Sequence, residues 1–197
     1  MLKLVGYIRS RAFRVLWALE EMGLDYEHDP AAPRSEEVRA LNPSGKIPIL
    51  IDGDAVLTES TAILTYLSDR YGGLAFPSGS VERARQDAAT FTLLDELDAP
   101  LWALFKHRFL LPEELRTDAI KPAALWEIQR AETHFARRVG AGPFVMGDTF
   151  TIPDILAGHL GDWADRAGFG SDDPDWLAYL DRLRARPAFQ KVNATAG

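Results

Sequence analysis

Along the first seventy positions, segments with the apolar pattern of a strand are followed by segments with the apolar spacing of a helix. Four short apolar runs, bounded by polar or turn-forming residues, predict strands at residues 2–7, 24–27, 47–51 and 55–57. Helical spacing and helix-capping residues predict helices between the first three strands and after the fourth, at residues 15–22, 35–41 and 60–71. The predicted order is βαβαββα, which is that of a small α/β domain.

The second half of the chain carries a different pattern. No alternating run follows residue 80, and apolar residues at helical spacing predict helices at 81–111, 113–139, 152–167 and 174–185. Proline interrupts helical hydrogen bonding, so we expect a kink near Pro100 and the end of the last helix at Pro187. This half is predicted to be all-helical.

A segment rich in glycine, proline and serine separates the two patterns. Such a composition is typical of a linker. We therefore predict an α/β domain at residues 1–73, a linker at 74–80 and an all-helical domain at 81–197.

Charge and cysteine content narrow the possible functions. The 197 residues carry a net charge of −7, which argues against nucleic acid as a partner because phosphate binding needs a cationic face. No apolar stretch approaches the roughly 20 residues of a membrane span, and the first residues lack a signal-peptide pattern, so we expect a cytoplasmic protein. The chain contains no cysteine, so any thiol that reacts here must belong to a ligand.

Pro48 lies inside a predicted strand, where it cannot donate a ladder hydrogen bond. If the Ile47–Pro48 bond is cis, the chain turns sharply and Ile47 presents its backbone N–H and C=O to an extended peptide ligand. The alternative is an ordinary proline on an edge strand.

Glu59 and Ser60 open the helix that follows the fourth strand. The free N–H groups and partial positive charge of a helix N-terminus attract a carboxylate, and the Ser60 hydroxyl adds a donor. Glu59 can accept from an ammonium group, so the pair suits the head group of an α-amino acid. The alternative is that Ser60 is simply an N-cap.

The loop after the first strand contains two hydroxyls, those of Tyr7 and Ser10. Either hydroxyl can donate to a ligand thiolate. Lowering a thiol pKa by about two units requires only ~2.7 kcal/mol of preference for the anion, which is the size of one charge-assisted hydrogen bond plus a helix dipole. Alternatively, Ser10 is an N-cap and Tyr7 packs in the core.

Taken together, these motifs resemble the cytosolic glutathione transferases along nearly the whole chain. The resemblance is carried by SRAFRVLWALEEMGLDYE (10–27), NPSGKIPIL (42–50), ESTAI (59–63), and GD (147–148) followed by TIPD (151–154). It implies a thioredoxin-like N-terminal domain with a cis-proline, followed by an all-α C-terminal domain.

The resemblance also implies roles for individual residues. Ile47 would bind the cysteinyl backbone of glutathione beside a cis Pro48, and Glu59 and Ser60 would hold the γ-glutamyl end. A cation near the glycyl carboxylate would come from Lys46, with Arg34 as a further candidate. Ser10 matches the catalytic hydroxyl of serine-type members, because it lies four residues before the arginine that opens the first helix; Tyr7 remains the alternative.

The electrophile is expected between the two domains, against the first long helix. Trp102, Phe105 and Phe109 are spaced by three and four residues and so share one helix face. Such a stripe can equally be core. Asp95 or Asp98 on the same helix is the candidate for an acid that reaches a partner's ligand across a dimer.

The resemblance predicts a glutathione transferase that conjugates the thiolate to small apolar electrophiles. The alternatives are a glutathione-dependent isomerase, peroxidase or dehalogenase on the same scaffold, or a non-catalytic binding protein. The family further implies a homodimer that needs no metal and no cofactor beyond the co-substrate glutathione.

A capping box is predicted independently of the family. Thr151 can cap a helix, and Asp154 at the third helical position can reach back to the Thr151 N–H. Its expected role is structural.

Overall fold

The computed structural model describes residues 1–195. Its contacts divide the chain into two compact units. One contains Met1–Arg83 together with the chain from Arg184 onward, and the other contains Ala84–Leu183. The domain and linker limits predicted above remain a prediction.

The first unit contains a four-stranded mixed sheet, as the sequence predicts. Its strands are β1 (Leu2–Val5), β2 (Tyr26–Asp29), β3 (Ile49–Asp52) and β4 (Ala55–Thr58). They lie in the order β2-β1-β3-β4, with β2 parallel to β1 and both other pairings antiparallel. Gly53 joins β3 to β4 with a φ of 59°, which is the positive value that a tight hairpin requires.

Three predicted helices complete this βαβαββα unit: α1 (Phe13–Glu21), α2 (Glu36–Leu41) and α3 (Ser60–Tyr71). Ser35 caps α2, because its hydroxyl accepts from the Val38 N–H. At α3 the predicted cap is displaced by one residue. Glu59 occupies the N-cap position with a φ of 67°, and Ser60 is the first helical residue.

Four long helices dominate the second half, and three of them begin where predicted. They are α4 (Val81–Thr92), α6 (Lys121–Val139), α7 (Ile152–Ala167) and α8 (Pro174–Arg184). The wide helical turn at Leu93–Asp98 connects α4 to α5 (Ala99–Phe105), and another at Lys106–Leu110 follows α5. The predicted helix 81–111 is therefore nearly continuous, and its irregular turn precedes Pro100.

Two helix boundaries differ from the prediction. The helix expected from residue 113 begins at Lys121, after two short 3₁₀ turns, because Pro122 favours the first helical turn. Pro187 opens a further helix, α9 (Pro187–Ala194), for the same reason. The ring of Phe189 on α9 lies 5.2 Å from that of Phe13 and 4.9 Å from that of Trp17, both on α1.

The predicted capping box is present at the start of α7. The Asp154 carboxylate accepts from the Thr151 N–H (2.8 Å) and from the Thr151 hydroxyl (3.0 Å). It also accepts from the Val145 N–H (3.0 Å) and from the Tyr179 hydroxyl (2.6 Å). Asp154 is fully buried, so this one side chain joins the chain before α7 to helix α8.

Candidate functional site

The register of the sheet brings three loops to one edge. Val5 pairs with Ile49, and Ile49 pairs with Thr58, so the end of β1, the start of β3 and the end of β4 are neighbours. The loop with Tyr7 and Ser10, the segment before β3 and the start of α3 therefore leave the sheet at the same edge. The candidate glutathione-binding and catalytic residues of the first unit therefore lie near this edge.

Gly6 allows the first two loops to approach closely. Its φ is 148°, and a Cβ atom there would lie 3.1 Å from the Cβ of Ile47 and 3.2 Å from that of Ala12. Any side chain at position 6 would therefore push the loop after β1 away from Ile47. The Gly6 carbonyl also lies 2.9 Å from Nε2 of His28 on β2, which anchors this end of β1.

The Ile47–Pro48 bond is cis, as the sequence analysis anticipated. Pro48 is buried and Ile47 is half-buried. Asn42 supports the turn that leads into it, because its side-chain amide donates to the Lys46 carbonyl (3.0 Å) and its side-chain oxygen accepts from the Ser44 N–H (3.2 Å). The backbone at Ile47 is thus held at the common edge by short-range hydrogen bonds.

Arg34 and Lys46 are brought together by a close backbone contact. The Arg34 N–H donates to the Gly45 carbonyl at 2.8 Å. Arg34 has a φ of 69° and Gly45 has a φ of 68°. A Cβ at Gly45 would lie 3.2 Å from the Arg34 Cα, so glycine is needed at this crossing. Both cationic side chains are exposed beside the turn that leads to Pro48.

The start of α3 combines an exposed acid with a buried hydroxyl. Glu59 is exposed in an unusual backbone conformation, and Ser60 is buried. The guanidinium of Arg14, itself 1% exposed, donates to the Ser60 Oγ at 3.4 Å. A buried positive charge therefore adds to the helix N-terminus at this point and favours an anionic ligand there.

The two candidate hydroxyls differ in their surroundings. The Ser10 hydroxyl donates to the Tyr7 carbonyl at 2.5 Å and accepts from the Ala12 N–H at 3.1 Å. It is half-buried at the start of the helical segment that leads into α1. Tyr7 is 44% exposed, so the expectation that it packs in the core is wrong.

The candidate electrophile residues form one aromatic cluster in the second unit. Trp102 and Phe105 stack with ring centres 5.6 Å apart, and Phe105 lies 5.1 Å from Phe109, which is 54% exposed. Trp163 on α7 joins them, 6.0 Å from Phe105 and 6.5 Å from Trp102.

Two residues of these groups were missed by the sequence analysis. Arg14 was used only to place Ser10 relative to the first helix. Its buried contact with Ser60 was missed because the two residues are 46 positions apart in the sequence. Trp163 lies on another helix from the stripe it joins. An arginine on the otherwise apolar face of α1 was the available signal for the first, because buried arginines are rarely left unpaired.

Within residues 1–195, no cluster of three or more metal-ligating side chains has a geometry that could hold a metal ion. No helix in that range is both long enough and apolar enough to cross a membrane.

Known proteins match this chain in sequence and in fold. Residues 9–70 match the family model described as glutathione S-transferase, N-terminal domain. Glutathione S-transferase 3 of Zea mays is 31% identical over 98% of this chain and 93% of its own length. A zeta-class glutathione S-transferase of Euphorbia esula is 43% identical over 79% of this chain and 72% of its own.

Solved structures agree with these sequence matches. A glutathione transferase of Methylococcus capsulatus has a TM-score of 0.85 at 28% identity and covers 100% of this chain and 99% of its own. A theta-class enzyme of Xanthomonas axonopodis pv. citri, solved with glutathione bound, has a TM-score of 0.78 at 29% identity, over 96% of this chain and 95% of its own. The α/β thioredoxin-like fold followed by an all-helical region is thereby established.

Proposed function

Because the chain belongs to the glutathione S-transferase family, we propose that it conjugates the thiolate of glutathione to small apolar electrophiles. The observation that carries this proposal is the shared sheet edge. Residues more than fifty positions apart in the sequence leave the sheet together there, as the register from Val5 through Ile49 to Thr58 requires.

The tripeptide would bind along this edge as an added strand. The cysteinyl backbone would pair with Ile47 beside cis Pro48. Its γ-glutamyl carboxylate would meet the N-terminus of α3 and the Ser60 hydroxyl, and its ammonium group would meet Glu59. The exposed cations Lys46 and Arg34, which lie beside the same turn, supply charge for the glycyl carboxylate.

Ser10 is our candidate for the residue that stabilises the thiolate. Its hydroxyl proton points to the Tyr7 carbonyl and would rotate to donate to the sulfur, while the Ala12 N–H continues to donate to its oxygen. A donor preorganised in this way stabilises the anion without reorganising the loop. Holding the electrophile near the bound thiolate supplies the remaining acceleration through proximity.

The aromatic cluster of Trp102, Phe105 and Phe109 is the candidate surface for the electrophile. Its rings offer an apolar face, and Phe109 is more than half exposed. Trp163 would support the cluster from α7. Substituting Phe109 with alanine should raise the KM for an apolar electrophile and leave the KM for glutathione unchanged.

The proposal is tested first by binding and then by turnover. We expect the protein to be retained on immobilised glutathione, to be eluted by free glutathione, and to conjugate chlorodinitrobenzene. Retention without turnover would favour an isomerase, peroxidase or dehalogenase, which assays with those substrates would identify. Absence of both retention and turnover would favour a non-catalytic protein and overturn the proposal.

The catalytic hydroxyl is tested with a matched pair of variants. We expect Ser10→Ala to lower kcat/KM by about 100-fold, since one donor to a developing anion contributes about 2.7–4 kcal/mol. Tyr7→Phe should change it by less than about threefold. The reverse ranking would assign the role to Tyr7. The thiol pKa of bound glutathione, read from thiolate absorbance against pH, should rise in Ser10→Ala.

The same family membership leads us to propose a cytoplasmic homodimer. Light scattering on the purified protein should report about twice the mass of 21.9 kDa. A monomer would contradict the proposed homodimer but would not affect the proposed glutathione site.

A further inference from the structure

Glu132, in the middle of α6, carries a buried carboxyl group. Its side chain belongs to a residue only 1% exposed, and neither carboxyl oxygen makes a hydrogen bond within the part of the chain that the structure describes. The indole N–H of Trp176 on α8 is likewise buried and unpaired among those residues. A carboxyl group without partners is the costliest polar group to bury in its charged form.

The groups facing Glu132 add no positive charge that would offset this cost. Asp165 on α7 and Asp173 in the connection between α7 and α8 both act on it as negative charges. Ser171 and Trp176 are the nearby donors and favour the charged form, but burial outweighs them. Arg137, one helical turn further along α6, acts on Asp173.

Asp173 ties this region to α6 and to the start of α8. One of its oxygens accepts from the Thr133 hydroxyl at 2.8 Å, beside Glu132. The other caps α8 by accepting from the backbone N–H groups of Asp175 and Trp176 at 3.0 and 3.2 Å. These hydrogen bonds hold the pKa of Asp173 below its ordinary value, although burial opposes them, so Asp173 stays negative where Glu132 titrates.

Burial raises the pKa of Glu132 from its ordinary value of 4.5 to about 7, and the two acids add to the rise. Near neutral pH this carboxyl group therefore exchanges a proton inside the folded protein. The proposed glutathione chemistry does not use it.

We propose that Glu132 is a proton-operated latch. When it is protonated, the α7–α8 connection (residues 168–173) closes against α6, and when it loses its proton this connection opens and water hydrates the carboxylate. The opening relieves both the desolvation of Glu132 and its repulsion by Asp165 and Asp173. Gly168, which ends α7 with a φ of 78°, is the natural hinge because no side chain restricts it.

Amide hydrogen exchange of the full-length protein tests the latch. Rates at pH 5.5 and pH 8 are compared after correction for the intrinsic pH dependence of exchange. In the open state Glu132 should have an ordinary carboxyl pKa. The population of that state should therefore rise roughly 30-fold from pH 5.5 to pH 8, because each unit of pKa difference between the two states corresponds to a tenfold change in their equilibrium. The loss of protection should be confined to residues 168–173 and absent from the start of α7.

Two variants on α6 separate the latch from general effects of pH. Glu132→Gln keeps the shape and cannot ionise, so the pH-dependent opening should disappear. Glu127→Gln removes an exposed carboxyl group from the same helix and should leave it unchanged. Equal protection at both pH values in the unmodified protein, or opening that persists in Glu132→Gln, would overturn the proposal. If Glu132→Gln fails to fold, the measurement on the unmodified protein decides alone.

Discussion

Two buried carboxyl groups in the helical unit show opposite solutions to the same physical problem. Asp154 is fully buried and accepts four hydrogen bonds from backbone and side-chain donors. Glu132 is 1% exposed, and its oxygens accept none among the described residues. Burial raises the pKa of both groups above its ordinary value; the donors that oppose this rise are Tyr179, Val145 and Thr151 at Asp154, and only Ser171 and Trp176 at Glu132.

The two carboxyl groups differ in whether hydrogen bonds join them to other parts of the unit. Asp154 connects Thr151 and Val145 to Tyr179, so it holds distant parts of the unit in one arrangement. Glu132 makes no such connection among the described residues, and Asp165 and Asp173 repel its charged form. A satisfied buried acid stabilises a fold, whereas an unsatisfied one makes the fold sensitive to pH.

Removing Asp154 should produce the largest effect. Asp154→Ala leaves buried donors at Val145, Thr151 and Tyr179 without an acceptor, and each orphaned donor costs about 1–3 kcal/mol. We expect the free energy of unfolding to fall by about 4 kcal/mol in urea denaturation. Asp148→Ala, an exposed acid nearby, is the control and should change it by less than about 0.5 kcal/mol. Similar losses in the two variants would show that the hydrogen bonds of Asp154 contribute little.

Neutralising Glu132 should have the next largest effect, with the opposite sign. Its pKa is about 7 in the folded protein and 4.5 when exposed. The folded state therefore binds the proton more tightly, and stability falls as pH rises from about 4.5 to 7, then stays level. Glu132→Gln removes this dependence, so at pH 8 we expect it to raise the unfolding free energy by about 3 kcal/mol, because each pKa unit corresponds to about 1.4 kcal/mol.

The pH profile distinguishes this stabilisation from better packing. The advantage of Glu132→Gln should shrink steadily as pH is lowered from 7 to 4.5, in denaturant titrations at several pH values. An advantage that is the same at pH 5 and pH 8 would contradict an origin in the charge of Glu132.

Removing one donor from Asp154 should have the smallest effect of the three. Tyr179→Phe leaves the carboxylate with three donors and the ring in place, so we expect a loss of about 1.5 kcal/mol. Tyr66→Phe removes the hydrogen bond of a half-buried hydroxyl to Asp52 and serves as the control, with a loss below about 0.5 kcal/mol. A loss at Tyr179 as small as that at Tyr66 would mean that the three remaining donors suffice.

The same contrast explains how much of the molecule could be predicted from its sequence. The capping box of Asp154 lies within four residues, so its hydrogen bonds are visible as a local motif. The environment of Glu132 depends on Asp165, Asp173 and Trp176, which lie 33 to 44 positions away and on other elements. No local pattern marks that glutamate as buried, because it could equally face solvent on a helix.

The candidate glutathione site shows the same division. Cis Pro48, the acid–hydroxyl pair at Glu59 and Ser60, and the loop of Ser10 were recognisable as short motifs. The contact from Arg14 to Ser60 and the joining of Trp163 to the aromatic cluster were not, because each depends on how helices pack. Pro187 was misread for a local reason, since a proline can either end one helix or open the next.

The sequence by itself determined the order of the strands and helices up to α8, where helix α7 is capped, and which motifs belong to the glutathione transferases. Those features depend on interactions within a few residues, whose energies are largely set before the chain folds. Only the tertiary structure decided that three loops share one sheet edge, that Arg14 reaches Ser60, and that Glu132 is buried between acids. Those outcomes depend on sheet register and helix packing, which bring together side chains that are distant along the chain and can place a carboxyl group out of reach of water.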